Sequence, residues 1–278
     1  MMLHNNDQSQ NDNRIQAKRR PFRLMRTLVL PNQHLASFVD LRQWMSPIDE
    51  QGHMQTCAAV AFAGVCDYLF KRFMNNPVKV SRLFIYYNAQ MIEQKSREVD
   101  DNGVLPMNTA LGLRKYGVCE ESYWPYQNHL LNQMPSDSAY KRASRYTVVP
   151  VHTTIDINAI EVCLHNQLPV LVGIRLADES IREVERNGGY LRVPDLNGST
   201  ISSVHLHGIV IVGYDRSAQY FICRNSWGRR WGYRGYFYMP YEYLTRPSLV
   251  DDVGGIWSIL KILPRTNTLP TVRRLLLS

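Results

Sequence analysis

Paired cysteines are missing from this chain: the five present, at 57, 66, 119, 163 and 223, are an odd number with no CxxC pair and no zinc-type Cys/His array. That spacing argues against a dense disulfide framework or a structural zinc, and a reducing compartment fits it best. Long apolar runs are missing as well. None reaches the roughly 18 residues that span a bilayer, and the first thirty residues lack the apolar core of a secretory signal peptide. No membrane association is expected, and location is expected to be cytoplasmic or reached by a signal-peptide-independent export system. Charge of one sign is lacking where a nucleic-acid groove would need it. Of the net +8, residues 1–30 carry +4 and residues 261–278 another +4, while the 230 residues between them hold 22 charges of each sign. Basicity confined to the two ends argues against nucleic-acid binding by the folded part. Internal repeats and low-complexity tracts are also absent.

What is present is an ordinary globular composition, 45% hydrophobic, 20% charged and 10% aromatic over 278 residues. That is long enough for one large domain or two lobes sharing a cleft. Residues 1–35 read as an N-terminal extension, polar up to about residue 13 and then basic with interleaved apolar residues. Residues 36–264 read as the folded body, with order starting near Leu35, and 265–278 as a basic tail. Thr56 is a plausible N-cap for a helix from Cys57 to about Phe73. Its "AAVAFAGVCDYLF" is apolar on nearly every face, as suits central burial. Helices are further expected from Ser81 and over Pro106 to Tyr116, the latter stopped by Gly117. From Tyr146 the texture turns to strands: "RYTVVPVH", then a helix around Ile157–His165, then "LPVLVGIRL", "HGIVIVGYD", "QYFICRNS" and "GYFYMP". A helical half (about 36–145) followed by a β half (about 146–264) predicts an α+β protein.

Three stretches carry chemistry together: "QGHMQTC" before the first helix, "HGIVIVGYD" in a strand, and "NSWG" after the next. Each alone has a bland explanation, since a Cys opening an Ala-rich helix is most often buried packing. In this order and spacing the chain resembles the papain family of cysteine proteases, from about Asp40 to Tyr243. His207 lies 150 residues and Asn225 168 residues beyond Cys57, near that family's range. The resemblance implies a helical lobe and a β-barrel-like lobe flanking an active-site cleft. It implies Cys57 as nucleophile, His207 as base and acid, Asn225 orienting His207, and Gln51 in the oxyanion hole with the Cys57 N–H. Trp227 would cover the His207–Asn225 bond. "DDNGVLPMNTAL" resembles the family's cleft-walling segment, with Gly103 offering backbone to an extended peptide, although a plain loop before a helix explains it nearly as well. A helix N-terminus and a neighbouring imidazolium both favour thiolate, so the Cys57 pKa is expected to be lowered.

Two positions depart from the family pattern: Met54 stands where a disulfide Cys is common, and Ala58 where an aromatic residue is. Some bacterial members look like this. His205 shares a strand face with His207, but the spacing to Gly213 selects His207. A metal on "HLH" lacks further ligands, so no metal and no cofactor is expected. The other four cysteines read as packing. Residues 14–30 are either a short inhibitory segment along the cleft, in the manner of the family's xylellain-like bacterial branch, or a mobile basic tail. The function that follows is a cysteine endopeptidase, monomeric, with peptide or protein substrates. The rivals are a silent papain-like binding protein and an acyl-transferring ligase or deamidase.

Overall fold

The computed structural model describes residues 26–27, 34–194, 204–251 and 254–265. The expectations for residues 1–25, 28–33 and 266–278 therefore lie outside the described residues.

Helix α1 (Cys57–Phe73) runs through the centre of the molecule, and Ala58 through Phe70 are all buried. Small residues on most faces of its first half let other elements approach it from every side. It packs on α2 (Arg82–Gln94), α3 (Pro106–Tyr116) and three strands of the sheet. Ser81 caps α2 by accepting from the Phe84 N–H at 3.1 Å. Gly117 ends α3 at φ +76°, where a Cβ would sit 2.4 Å from the Ala143 carbonyl oxygen.

The sheet is built from β1 (Arg26–Thr27), β2 (Phe38–Asp40), β3 (Tyr146–Thr153), β4 (Val170–Ala177), β5 (Val204–Asp215), β6 (Tyr220–Arg224), β7 (Tyr236–Pro240) and β8 (Ile256–Pro264). Its order is β1-β3-β8-β4-β5-β6-β7, with β2 pairing β5. β1 runs parallel to β3, and the other pairs are antiparallel. Pro150, which cannot donate to the ladder, sits where the β3–β8 register shifts. α4 (Asp137–Ala143), α5 (Ile157–His165), α6 (Asp178–Arg186) and α7 (Tyr241–Thr245) complete the fold. One continuous apolar cluster joins helices to sheet. The protein is α+β, with a helical lobe against a sheet lobe.

The predicted helix bounds at Cys57–Phe73, Pro106–Tyr116 and Ile157–His165 hold; Pro106 and Gly117 punctuate the second and Asp156 caps the third. Three features differ. The Thr56 hydroxyl makes no capping bond to α1; it pairs instead with the Tyr126 hydroxyl at 2.6 Å. β2 lies in the nominally helical half yet joins the sheet, since Gly213 lacks the Cβ that would sit 2.3 Å from the Val39 carbonyl oxygen. β1 pairs with β3 at the end of the strand order, so Arg26 and Thr27 belong to the sheet, which no sequence pattern announced.

Candidate active site

β5 meets the start of α1 at a glycine. A Cβ on Gly208 would come within 3.1 Å of both the N and the Cα of Ala58, so only glycine lets the strand lie this close. That approach brings His207 and Cys57 into the lining of one cleft of about 410 Å³, together with Gln51, Gly103 and Trp227. Ala58, in place of a larger residue, is the surface Gly208 packs on. Of the five cysteines, all free, Cys57 is the one not fully buried.

The loop before α1 is laid against the chain after β6. Gln51 N–H donates to the Ser226 carbonyl at 2.8 Å and Gly228 N–H to the Asp49 carbonyl at 2.9 Å, and Glu50 pairs with Trp227 as an antiparallel bridge. This short ladder sets Gln51 beside Asn225. The Gln51 amide is fixed at both ends: Nε2 donates to the Met54 carbonyl at 2.9 Å, and Oε1 accepts from Ser226 Oγ at 2.6 Å. One N–H of Nε2 is left over. The backbone N–H of Cys57, first residue of α1, has no acceptor within the helix. Tyr126 donates to the Gln51 carbonyl at 3.0 Å, so the Thr56 hydroxyl donates to Tyr126.

His207 is buried, with Nε2 2.7 Å from Asn225 Oδ1. Ser226 N–H donates to the same oxygen at 2.7 Å, which identifies that atom as the carbonyl end of the amide. The hydrogen between His207 and Asn225 therefore sits on Nε2, and Nδ1 keeps its lone pair. The Trp227 ring lies over the imidazole, centroids 4.4 Å apart at 32°. His205 is exposed and pairs with Asp178 at 2.8 Å, although it too lines the cleft.

Electrostatics differ from the simple expectation of a thiolate favoured by a helix end. Burial pushes the Cys57 thiol up, and it outweighs the backbone N–H groups of Gly208, Ala58 and Cys57, which pull the other way. Burial likewise pushes His207 down to about 4, against the Asn225 bond that raises it. Each group is disfavoured as a lone charge. A site with zero net charge, whichever partner holds the proton, satisfies both.

At Gly103, φ +73°, the N–H donates to the Tyr86 hydroxyl at 3.1 Å, which leaves its carbonyl as the backbone group for a ligand. Sequence reasoning missed Ser226, Tyr126 and Asp251. Ser226 stood in plain view within "NSWG"; packing alone brings Tyr126 to the Gln51 carbonyl and Asp251 to the cleft lining. Among the described residues no cluster of three or more His, Cys, Asp or Glu is arranged to hold a metal.

Residues 35–246 match the papain family of cysteine proteases. The chain is 32% identical over 238 residues to an uncharacterized peptidase C1-like protein of Acanthamoeba polyphaga mimivirus, which covers 82% of this chain and 74% of that protein. It is 26% identical over 218 residues to cathepsin R of Mus musculus, but spans only 59% of that relative's length. Among solved structures it is similar to xylellain, a cysteine protease from Xylella fastidiosa, at 28% identity and a TM-score of 0.72 over 85% of this chain and 91% of that one. A digestive procathepsin L 3 of Tenebrio molitor shares the fold at 19% identity and a TM-score of 0.63, over 88% of this chain and 78% of that one.

Proposed function

The chain belongs to the papain family of cysteine proteases, and from that premise we propose that it is an endopeptidase working through an acyl-enzyme on Cys57. The observation that carries this reading is the His207–Asn225 bond, which leaves Nδ1 with its lone pair on a residue that lines the same cleft as Cys57. The thiol proton passes to Nδ1 as the sulfur attacks the peptide carbonyl carbon. The resulting oxyanion receives the spare Gln51 Nε2–H and the Cys57 N–H. As the C–N bond breaks, the imidazolium gives its proton to the departing amine, leaving a thioester. His207 then takes a proton from water, whose oxygen attacks the thioester; the thiolate leaves, is reprotonated, and a carboxylic acid is released. Trp227 keeps water off the His207–Asn225 bond. The Gly103 carbonyl receives substrate backbone.

The test is a peptide-library cleavage assay read by mass spectrometry, comparing the wild type with Cys57→Ala. Hydrolysed peptides from the wild type and none above background from the variant are expected. Ligated or deamidated products would assign acyl transfer to an acceptor other than water. A Cys57 that also resists thiol-directed labelling would assign a silent binding protein.

A further inference from the structure

The two donors assigned to the oxyanion stand six residues apart, Gln51 with its side chain and Cys57 with its backbone N–H. The turn between them exposes Gly52, His53 and Gln55, with Gly52 at φ +62°. The Gln55 N–H donates to Asp101 at 3.1 Å, which ties the turn to the Gly103 loop and not to Gln51. An exposed turn does not by its own packing set one donor against the other; a group bonded at both of its ends does. The Tyr126 hydroxyl is such a group. It donates to the Gln51 carbonyl at 3.0 Å and accepts from the Thr56 hydroxyl at 2.6 Å.

Thr56 is fully buried, and its carbonyl accepts from the Val60 N–H at 2.9 Å. That carbonyl and the Cys57 N–H belong to one planar peptide unit, so whatever holds Thr56 also aims the Cys57 N–H. A Thr preceding a helix ordinarily bonds to the N–H groups of the first turn; here its hydroxyl goes to Tyr126 instead. Tyr126 is itself braced. The Arg82 guanidinium lies 3.8 Å from its ring centroid, and Arg82 is anchored by Glu121 at 2.9 Å and faces Asp49 at 3.2 Å. Burial pushes the Tyr126 hydroxyl up to about 12, so it remains an O–H donor at neutral pH. Tyr126 is not among the described residues lining the cleft, and any influence on the reaction runs through the two donors.

We propose that Tyr126 is a positioning residue for the oxyanion: its hydroxyl, joined to the Gln51 carbonyl and the Thr56 hydroxyl, sets the Gln51 amide and the Cys57 N–H so that both meet one oxygen. This deepens the peptidase reading and rests on it. Losing a donor outright costs on the order of 10² to 10³ in rate, and a donor aimed wrongly costs part of that.

The experiment uses the full chain and a fluorogenic peptide that the wild type cleaves. Tyr126→Phe, which keeps the ring under Arg82, is expected to lower kcat about tenfold with KM within about twofold. Alkylation of Cys57 by iodoacetamide, a displacement of iodide at a saturated carbon that develops no oxyanion, keeps the wild-type rate. Thr56→Val lowers kcat in the same way, and Thr56→Ser, which keeps the hydroxyl, recovers most of the loss. In Gln51→Ala, adding Tyr126→Phe costs less than about threefold, because one of the two donors it aims is already gone. Alkylation that slows in step with cleavage assigns a general structural role. That result, an unchanged kcat, or an equal cost with and without Gln51 overturns the proposal and leaves the peptidase reading intact. If the wild type cleaves no peptide, that reading falls and a peptide aldehyde decides the positioning role. The Cys57 sulfur bonds to the aldehyde carbon and the thiol proton passes to its oxygen, which then lies beside the same donors. An adduct weakened about tenfold in Tyr126→Phe supports the role; no adduct, or one equally stable in the variant, overturns it.

Discussion

His207 is held in one tautomer by two facts: Asn225 Oδ1 faces its Nε2, and Ser226 N–H fixes which end of that amide is oxygen. Burial holds its imidazole down to about 4 from an ordinary 6.5, so the Cys57–His207 pair gains an extra proton only in strong acid. A depressed pKa means the working protonation state survives the interval from 6.5 down to about 4 and is lost below it. We expect kcat/KM to be flat across that interval and then to fall about tenfold per pH unit as the pair titrates as a unit. An acid limb near 6.5 in the pH–rate profile would contradict a buried imidazole. At this scale the sequence was most legible, because Gln51, Cys57, His207 and Asn225 are set by residue type and spacing. Ser226 was overlooked beside them. Asp251, in "LVDDVGG", carries no local pattern that separates it from a loop acid.

Arg224, the last residue of β6, ties that strand to the loop carrying Gln51. It is buried and donates to the Ser46 and Pro47 carbonyls at 2.7 Å each, with its Nη2 3.2 Å from buried Asp49. Asp49 also pairs with Lys79 and, at 3.2 Å, with Arg82. Gly64 of α1 makes room for this side chain, since a Cβ there would lie 3.3 Å from the guanidinium Nε. Arg224→Met keeps the length but strands two carbonyls and removes one of the charges facing Asp49. The expected loss is on the order of 3 kcal/mol, read as a lower denaturant midpoint, together with reduced kcat/KM as Gln51 loses its register against Ser226. A midpoint equal to wild type would mean that Lys79 and Arg82 suffice for Asp49. Helix ends were legible where Ser81, Pro106 and Gly117 punctuate them. α4, α6 and β8 were not picked out. α6 ("DESIREVER") offers only two buried residues, Ser180 and Val184, and β8 reads as a plain apolar run that could be helix or strand.

On the scale of the whole molecule, the cleft exists because a central helix and a sheet strand touch at Ala58 and Gly208, bringing the two lobes together there. The sheet begins with β1, whose two residues anchor the N-terminal segment at the edge formed by β3. The expectation that the N-terminal extension inhibits the enzyme is tested by shortening it. Deleting residues 1–25, which spares β1, is expected to raise peptidase rate several-fold with little change in melting temperature; an unchanged rate would assign that stretch as a tail. The sequence by itself determined which chemical groups this protein brings to its site, their order, and the extents of α1 and α3, since these depend on residue identity and neighbours a few positions away. Only the tertiary structure decided that β2 joins the sheet, that Thr56 serves Tyr126 and not its helix, and that burial governs Cys57 and His207. Each of those depends on what packs against a residue from far along the chain, and a local pattern carries no record of that.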